Sequence, residues 1–380
     1  MSAPQRFDSP NAVMRYAVEL ASRGLGRVEP NPAVGAVLVD EHLNLLADGY
    51  HERFGGPHAE VNALSDFVER FADEGVRQEL LANATLYVTL EPCCHHGKTP
   101  PCSEAVMNAG VRRVSVGLRD PSPHVAGGGF QQLEQAGIDV SVGLAEKLIQ
   151  ELNAPFLKLL TTGLPWVHAK WAMTLDGKIA TRSGASKWIS SEASRQRVHL
   201  LRGRMDAIIV GAGTARADDP LLTVRVPGPR TPVRVAVDSA ATLSFDSQLV
   251  RTVKDAPVLL AVCKSAPAER VDRLRDLGVE VVVVGPVDGK VDLTMLMQEL
   301  GRRSMTNVLI EGGGVLLGAA FDGGFVDEAH IFVAPKFAGG AGAVTPVGGV
   351  GVEVIPEASQ LRGQTVEQVG DDVYIRGRLR

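Results

Sequence analysis

Two stretches of this chain combine residue types that bind a soft metal ion. One is His58-Ala59-Glu60. The other runs from Glu91-Pro92-Cys93-Cys94-His95-His96 through Lys98 to Cys102 and holds three of the four cysteines. Thiolate and imidazole are zinc ligands. His58 precedes an expected helix, Cys93 follows an expected strand and Cys102 opens another helix, so three element ends can converge on one ion. Two thiolates cancel its double charge, and three protein ligands leave the fourth tetrahedral position for water. Glu60 is close enough to reach that water as a proton carrier without touching the metal. The competing arrangement is a closed structural site with Cys94, His95 or His96 as fourth ligand. Cys94 fits poorly, because neighbouring residues rarely reach one tetrahedral ion together. His95 and His96 are also placed to meet a substrate. His42, His51, His124, His168, His199 and His330 read as surface or core, and Cys263 as the core of a strand.

A second set lies further along. Asn307-Val-Leu-Ile-Glu311-Gly-Gly-Gly-Val-Leu-Leu-Gly318 reads as strand, glycine turn and helix, where backbone N–H groups can approach a pyrophosphate. Ile208 to Pro220 is another strand and glycine turn. It lacks the third glycine and the distant acid of a dinucleotide fingerprint.

The elements that must carry these residues follow from periodicity. Ser9 caps a helix with Pro10 at its first position, and Val13, Met14, Ala17, Leu20 and Ala21 recur at helical spacing until Gly24. Strands are expected over 34–39, 84–90, 111–116 and 138–142, with helices over 59–71, 103–109 and 128–136. Such alternation predicts α/β architecture with a mostly parallel sheet and chemistry at the carboxyl ends of its strands. A connecting helix over 145–160 and the turn Thr161-Thr-Gly-Leu-Pro165 mark a boundary. Beyond it, strands are expected over 166–173, 206–210, 233–237, 257–262, 279–284 and 306–310. Helices are expected over 190–202, 267–277, 292–300 and 315–321.

Bulk properties narrow the class. The chain has 380 residues, 45% hydrophobic and 22% charged, with net charge -5. That suits two domains with sizeable cores. Scattered basic residues argue against a nucleic-acid partner, and no apolar run approaches the ~20 residues that cross a bilayer. The cysteines do not form a disulfide framework. A cytoplasmic protein is expected.

His-Ala-Glu followed by Pro-Cys and a later Cys resembles the cytidine-deaminase superfamily. The common pattern is Cys-x-x-Cys, whereas eight residues separate Cys93 from Cys102 here. With Glu-Pro-Cys-x-His-His-Gly-Lys-Thr-Pro-Pro-Cys, Asn31-Pro-x-Val-Gly35 and Asp120-Pro-x-Pro-x-Val-Ala-Gly127, the chain resembles one branch closely: the bifunctional riboflavin-biosynthesis deaminase/reductases. Lys170-x-x-x-Thr174-Leu-Asp-Gly177-Lys, Ser186-Lys-Trp188-Ile-Ser, Gly213-Thr214, Ala217-Asp218-Asp-Pro220 and Glu311-Gly-Gly-Gly resemble its reductase half. Cys94 stands where that family has Ser.

The resemblance implies a cytidine-deaminase-like three-layer domain over 1–145, a connecting helix and turn over 146–165, and a dihydrofolate-reductase-like domain over 166–380. It implies zinc on His58, Cys93 and Cys102, with Glu60 as proton shuttle. Asn31, His51, His95, His96, Lys98 and Asp120 would meet a diaminopyrimidinone that carries a phosphoribosylamino group. In the second half, Ala172, Trp188, Thr214, Asp218, Gly313, Gly314, Val315, Leu316, Leu317, Gly318 and Ala319 would meet NADPH. Ser186, Arg202, Leu222, Arg225 and Glu311 would meet the phosphoribosylaminopyrimidine, and Lys170 and Asp218 would do polar work near the reacting carbon. Small-molecule substrates and a homo-oligomer are expected. A zinc-stabilised binding module is the contrasting reading, and it would lose nothing when Glu60 changes.

Overall fold

Most of the expected elements form near their expected places in a computed structural model, which describes residues 5–95, 100–122, 127–226, 228, 230–287, 289–354 and 360–379. The chain divides into two units, Met1–Thr162 and Gly163–Arg380.

In the first unit, Ser9 Oγ accepts a hydrogen bond from Ala12 N at 3.2 Å and so caps α1 (Pro10–Ser22). There follow β1 (Gly35–Val39), β2 (Leu45–Tyr50), α2 (Ala59–Arg70), α3 (Glu74–Asn83), β3 (Thr85–Leu90) and α4 (Cys102–Ala109). The unit continues with β4 (Arg113–Leu118), α5 (Gly128–Gln135), β5 (Asp139–Val142), α6 (Glu146–Leu152) and α7 (Ala154–Thr162). The sheet order is β2-β1-β3-β4-β5. β3, β4 and β5 run parallel, while β1 runs antiparallel to both its neighbours. The start of β1 therefore lies at the same edge as the ends of β3 and β4.

Three features of this unit escaped the pattern. Neither α3 nor β2, which contains Asp48 and Gly49, was expected. A Cβ on Gly49 would stand 2.4 Å from the backbone nitrogen of Ala63, so this glycine is there to let α2 approach the strand. The single helix expected over 145–160 is two helices within the first unit, separated at Asn153. That side chain closes a buried pair of hydrogen bonds with the Ala33 backbone, accepting from Ala33 N at 2.8 Å and donating to Ala33 O at 3.0 Å. The core joins Val13, Met14 and Leu20 of α1 to Val37, Leu38, Leu86 and Phe67. Each such side chain contributes about 1.5–3 kcal/mol by burial.

The second unit contains β6 (Trp166–Thr174), α8 (Glu192–Arg202), β7 (Ala207–Gly211), α9 (Ala212–Asp218), β8 (Val233–Val237), α10 (Gln248–Arg251), β9 (Val258–Val262) and α11 (Ala268–Asp276). It continues with β10 (Glu280–Val283), β11 (Pro286–Val287), β12 (Lys290–Val291), α12 (Leu293–Arg302), β13 (Asn307–Glu311) and α13 (Gly314–Asp322). β14 (Glu328–Ala334), β15 (Arg362–Val369) and β16 (Asp372–Arg378) complete it. The large sheet has the order β10-β9-β8-β7-β13-β6-β14-β16-β15. It is parallel throughout except for β16, which runs against β14 and β15. Strands such as Ala-Ile-Ile-Val-Gly are apolar on both faces because both are covered, by one cluster around Val167, Ile209 and Ile310 and another around Ile208, Val210 and Leu260.

Candidate active sites

His58 is the N-cap of α2 and Glu60 lies in that helix's first turn. β3 delivers Glu91 and Cys93 from its carboxyl end, and Cys102 is the first residue of α4. His58 Nδ1 lies 3.2 Å from Cys102 Sγ and 3.6 Å from Cys93 Sγ, and the three donor atoms all lie within 4.8 Å of one another. Tetrahedral zinc, with Zn–S near 2.3 Å and Zn–N near 2.0 Å, needs donors about 3.5 Å apart. The three residues fit it. Among the described residues neither Cys94 nor His95 joins the group. The Cys94 sulfur turns to α5 instead, 2.7 Å from where a Cβ on Gly128 would lie.

The two thiols are driven in opposite directions. Cys93 accepts from the backbone N–H of Cys102 at 3.3 Å, at the start of α4. The Cys102 thiol, followed by His58 and that N–H, lowers Cys93 to about 4 against the opposing effect of burial. The same contact and burial push Cys102 up. A divalent ion displaces both thiol protons. Glu60 is buried, and desolvation raises its carboxyl to about 7, where it can both take and give a proton near neutrality.

A cavity of about 400 Å³ opens onto this cluster, and Asn31, His51, His95 and Asp120 line it beside Glu60 and Cys93. His96 and Lys98 lie outside the described residues. His51 Nδ1 pairs with Pro57 O at 2.9 Å and its Nε2 with Asn31 Nδ2 at 3.3 Å. The first contact requires N–H on Nδ1, which leaves Nε2 to accept from Asn31. Burial lowers His51 and favours that neutral form.

Sequence reasoning missed Glu91. This buried carboxylate gathers four backbone N–H groups: Asp120 and Gly127 at 3.3 Å, Gly129 at 3.1 Å and Phe130 at 3.4 Å. It thereby ties the segment after β4 and the start of α5 to the ligand loop. The signal was present, since an acid at the end of an apolar strand needs partners. Phe156 and Leu160 of α7 also line the cavity, with no chemical signal in the sequence.

The second centre gathers at the middle of β6 and the carboxyl end of β13. Lys170 is paired in register with Glu311 on one side and His330 on the other. Glu311 accepts from Arg202 Nε at 2.6 Å and Nη2 at 2.8 Å. Burial pulls the Lys170 ammonium down, against Glu311, which favours the charged form. Ser186 Oγ donates to Asp218 Oδ1 at 3.3 Å. Trp188 is 65% exposed, with the Arg195 guanidinium 4.6 Å from its ring centre. Ala172 packs with Val198, Phe332 and Tyr374.

Gly312 and Gly313 adopt φ values of 69° and 81° before α13. A Cβ on Gly313 would stand 2.9 Å from Thr214 Oγ1, so a side chain would fill the cradle at the helix N-terminus. That geometry fits a cofactor pyrophosphate. The expected cofactor stretch nevertheless divides. Val315 and Ala319 are exposed, whereas Leu316 and Leu317 point into the core and Gly318 packs against Gly348, so these three can offer no side-chain contact. Leu222 likewise has its side chain in the core, while Arg225 is exposed.

A second group with ligand potential, His168, Glu328 and His330, is fully buried. Its donors are already occupied. His330 bridges Tyr374 OH at 2.7 Å and His168 at 3.1 Å, His168 reaches Asn307 at 3.2 Å, and Arg376 holds Glu328.

Residues 8–118 match the cytidine and deoxycytidylate deaminase zinc-binding region, and residues 165–375 match the RibD C-terminal domain. The chain is 43% identical to the riboflavin biosynthesis protein RibD of Actinobacillus pleuropneumoniae, over 95% of this chain and 93% of that one. It is 38% identical to RibD of Escherichia coli, over 95% and 97%. Acinetobacter baumannii RibD superposes with a TM-score of 0.81 at 37% identity, covering 97% of this chain and 98% of that one. The diaminohydroxyphosphoribosylaminopyrimidine deaminase/5-amino-6-(5-phosphoribosylamino)uracil reductase of Thermotoga maritima gives 0.81 at 34% identity, with the same coverage. The chain belongs to the RibD family of bifunctional riboflavin-biosynthesis enzymes, a zinc-dependent deaminase joined to an NADPH-dependent reductase.

Proposed function

We propose that the first unit removes the exocyclic amine of 2,5-diamino-6-(5-phosphoribosylamino)pyrimidin-4-one and that the reductase half, over 166–380, converts the ribosyl group of the product to ribityl. The observation that carries this reading is the placement of His58, Cys93 and Cys102 beside buried Glu60 at the mouth of a cavity sized for a pyrimidine. His58 Nδ1 and the two sulfurs hold zinc, whose contribution is to lower the pKa of a water molecule. The chain does the rest. Glu60 carries the proton from water to the departing amine. Asn31, His51, His95 and Asp120 orient the ring, and His96 and Lys98 belong to the same substrate set.

In the reductase half, NADPH supplies the hydride. Thr214, Ala172, Trp188, Asp218 and the backbone from Gly313 to Ala319 receive the cofactor, and only the exposed positions do so through side chains. Lys170 and Asp218 manage polarity near C1 of the ribosyl group. Ser186, Leu222, Glu311 and the guanidinium groups of Arg202 and Arg225 receive the pyrimidine and its phosphate. Arg202 is already committed to Glu311, whereas Arg225 is exposed and has no ion-pair partner among the described residues, so we assign it to the phosphate. The enzyme works on small molecules, in the cytoplasm, as a homo-oligomer, without a nucleic-acid partner. Among the described residues no helix is long and apolar enough to cross a membrane.

The test supplies the diaminopyrimidinone with and without NADPH and follows ammonia together with reduced-nicotinamide absorbance. Ammonia release without NADPH, and oxidation only after deamination, are expected. Oxidation that precedes ammonia release overturns the order.

A further inference from the structure

The segment from Asp218 to Thr223 leaves α9 in an uncommon conformation. Asp219 has φ 38° and Leu222 φ 53°, both in the left-handed region that non-glycine residues avoid. Leu222 is 3% exposed, so its side chain is fixed in the core. A backbone persists in such a state only where its surroundings over-determine it, and such sites cluster where geometry serves function.

Those surroundings can be named. Ser186 Oγ reaches the Asp218 carboxylate at 3.3 Å, and Lys187 Nζ donates to the Asp218 carbonyl at 3.4 Å. Gln248, the first residue of α10, donates its backbone N–H to Asp219 Oδ1 at 2.8 Å and its side-chain amide to the Asp219 carbonyl. Arg202 Nη1 donates to the Thr223 carbonyl at 3.2 Å. Between these anchors, Arg234 Nη1 donates to the Leu221 carbonyl at 3.1 Å.

Arg234 is the least expected of these partners. It lies in β8 with 0% exposure, and its other acceptors are Thr252 Oγ1 at 2.7 Å, Thr252 O at 2.8 Å and Ala256 O. All are hydroxyl or carbonyl oxygens. Asp255 favours the charge but burial outweighs it, so an apolar side chain of similar volume would pack there with less penalty. What an apolar residue cannot do is span from Leu221 to the turn after α10 with a planar fork of donors.

We propose that Arg234 is a positioning residue for the reductive half-reaction. Through Leu221 it locks the Asp218–Leu222 segment with Asp219 and Leu222 in their left-handed conformations, and Gln248 holds the same segment from α10. The consequence for reduction rests on the reading above that Asp218 and Leu222 adjoin cofactor and substrate.

The test uses the full zinc-loaded chain carrying R234M, R234K or Q248M. Reduction is measured on pre-deaminated substrate with NADPH, and deamination by the same preparation serves as the internal control. R234M is expected to raise the KM for the pyrimidine roughly five-fold or more, and Q248M by a smaller factor, with deamination kinetics within about two-fold of the parent. R234K should recover little, because an ammonium cannot bridge the same acceptors. A purely structural role would instead lower the melting temperature and the active fraction, leaving KM unchanged. Folded R234M at the parental KM overturns the proposal whatever Q248M does. If R234M does not fold, Q248M at the parental KM overturns it. D218N and R202M separate the two layers: reduction untouched in both sinks the site reading itself, whereas loss in both beside normal R234M and Q248M sinks only the positioning role.

Discussion

Arg202 grips Glu311 through two nearly parallel hydrogen bonds, Nε to Oε1 at 2.6 Å and Nη2 to Oε2 at 2.8 Å, where the side chains are only 15% and 8% exposed. Burial works to raise the Glu311 carboxyl, but the guanidinium outweighs it and holds the group below the ordinary carboxylate range. Removing one partner strands the other, so Arg202→Met should cost about 3–5 kcal/mol in urea unfolding. Glu311→Gln should cost a similar amount, and the double variant less than the sum. The contribution is present above the ordinary glutamate pKa and fades as pH falls through the lowered folded value. Additive losses would show that the two residues do not act as a pair.

Glu60→Gln keeps the shape of the buried side chain and removes its ability to shuttle a proton. Zinc content should stay at one per chain by elemental analysis, and ammonia release should fall at least about 10²-fold. Reduction of pre-deaminated substrate should be intact. Unchanged ammonia release would refute the role given to Glu60.

Cys94→Ser should retain zinc and deamination, because its sulfur faces Gly128 rather than the ligand atoms. Cys93→Ser and Cys102→Ser should each lose the metal. Zinc loss in Cys94→Ser, by elemental analysis, would return Cys94 to the ligand set.

His330 is almost completely buried, and burial, reinforced by neighbouring His168, lowers it from 6.5 to about 3. Between those values the unfolded chain carries a proton that the folded chain does not, so stability falls on acidification from about 6.5 toward 3. From pH 7 to pH 5 this residue alone should cost ~2 kcal/mol, and His330→Gln should flatten the slope. All three tryptophans lie in the second unit, at 166, 171 and 188, so their fluorescence follows this unit alone. Equal slopes for parent and variant would contradict the assignment.

Legibility in the sequence followed the strength of local chemistry. α1 was readable because Ser9, Pro10 and the spacing from Val13 to Ala21 agree. The C-terminal strands were not. β15 reads Arg-Gly-Gln-Thr-Val-Glu-Gln-Val, is exposed along nearly its whole length, and becomes a strand only by pairing with β16. The convergence of His58, Cys93 and Cys102 was expected from residue type, element ends and family resemblance together, while Glu91 and Arg234 act through backbone partners remote in sequence. Leu316 and Leu317 mark a different limit, since a motif names a stretch without saying which side chains face inward.

The break between Thr162 and Gly163 lies within one continuous polypeptide. Every round of synthesis therefore delivers the two catalysts in equal number, and no change in expression can alter that ratio. Balance between the successive steps must be set by turnover at each centre, so a substitution that slows reduction alone lets the deaminated intermediate accumulate.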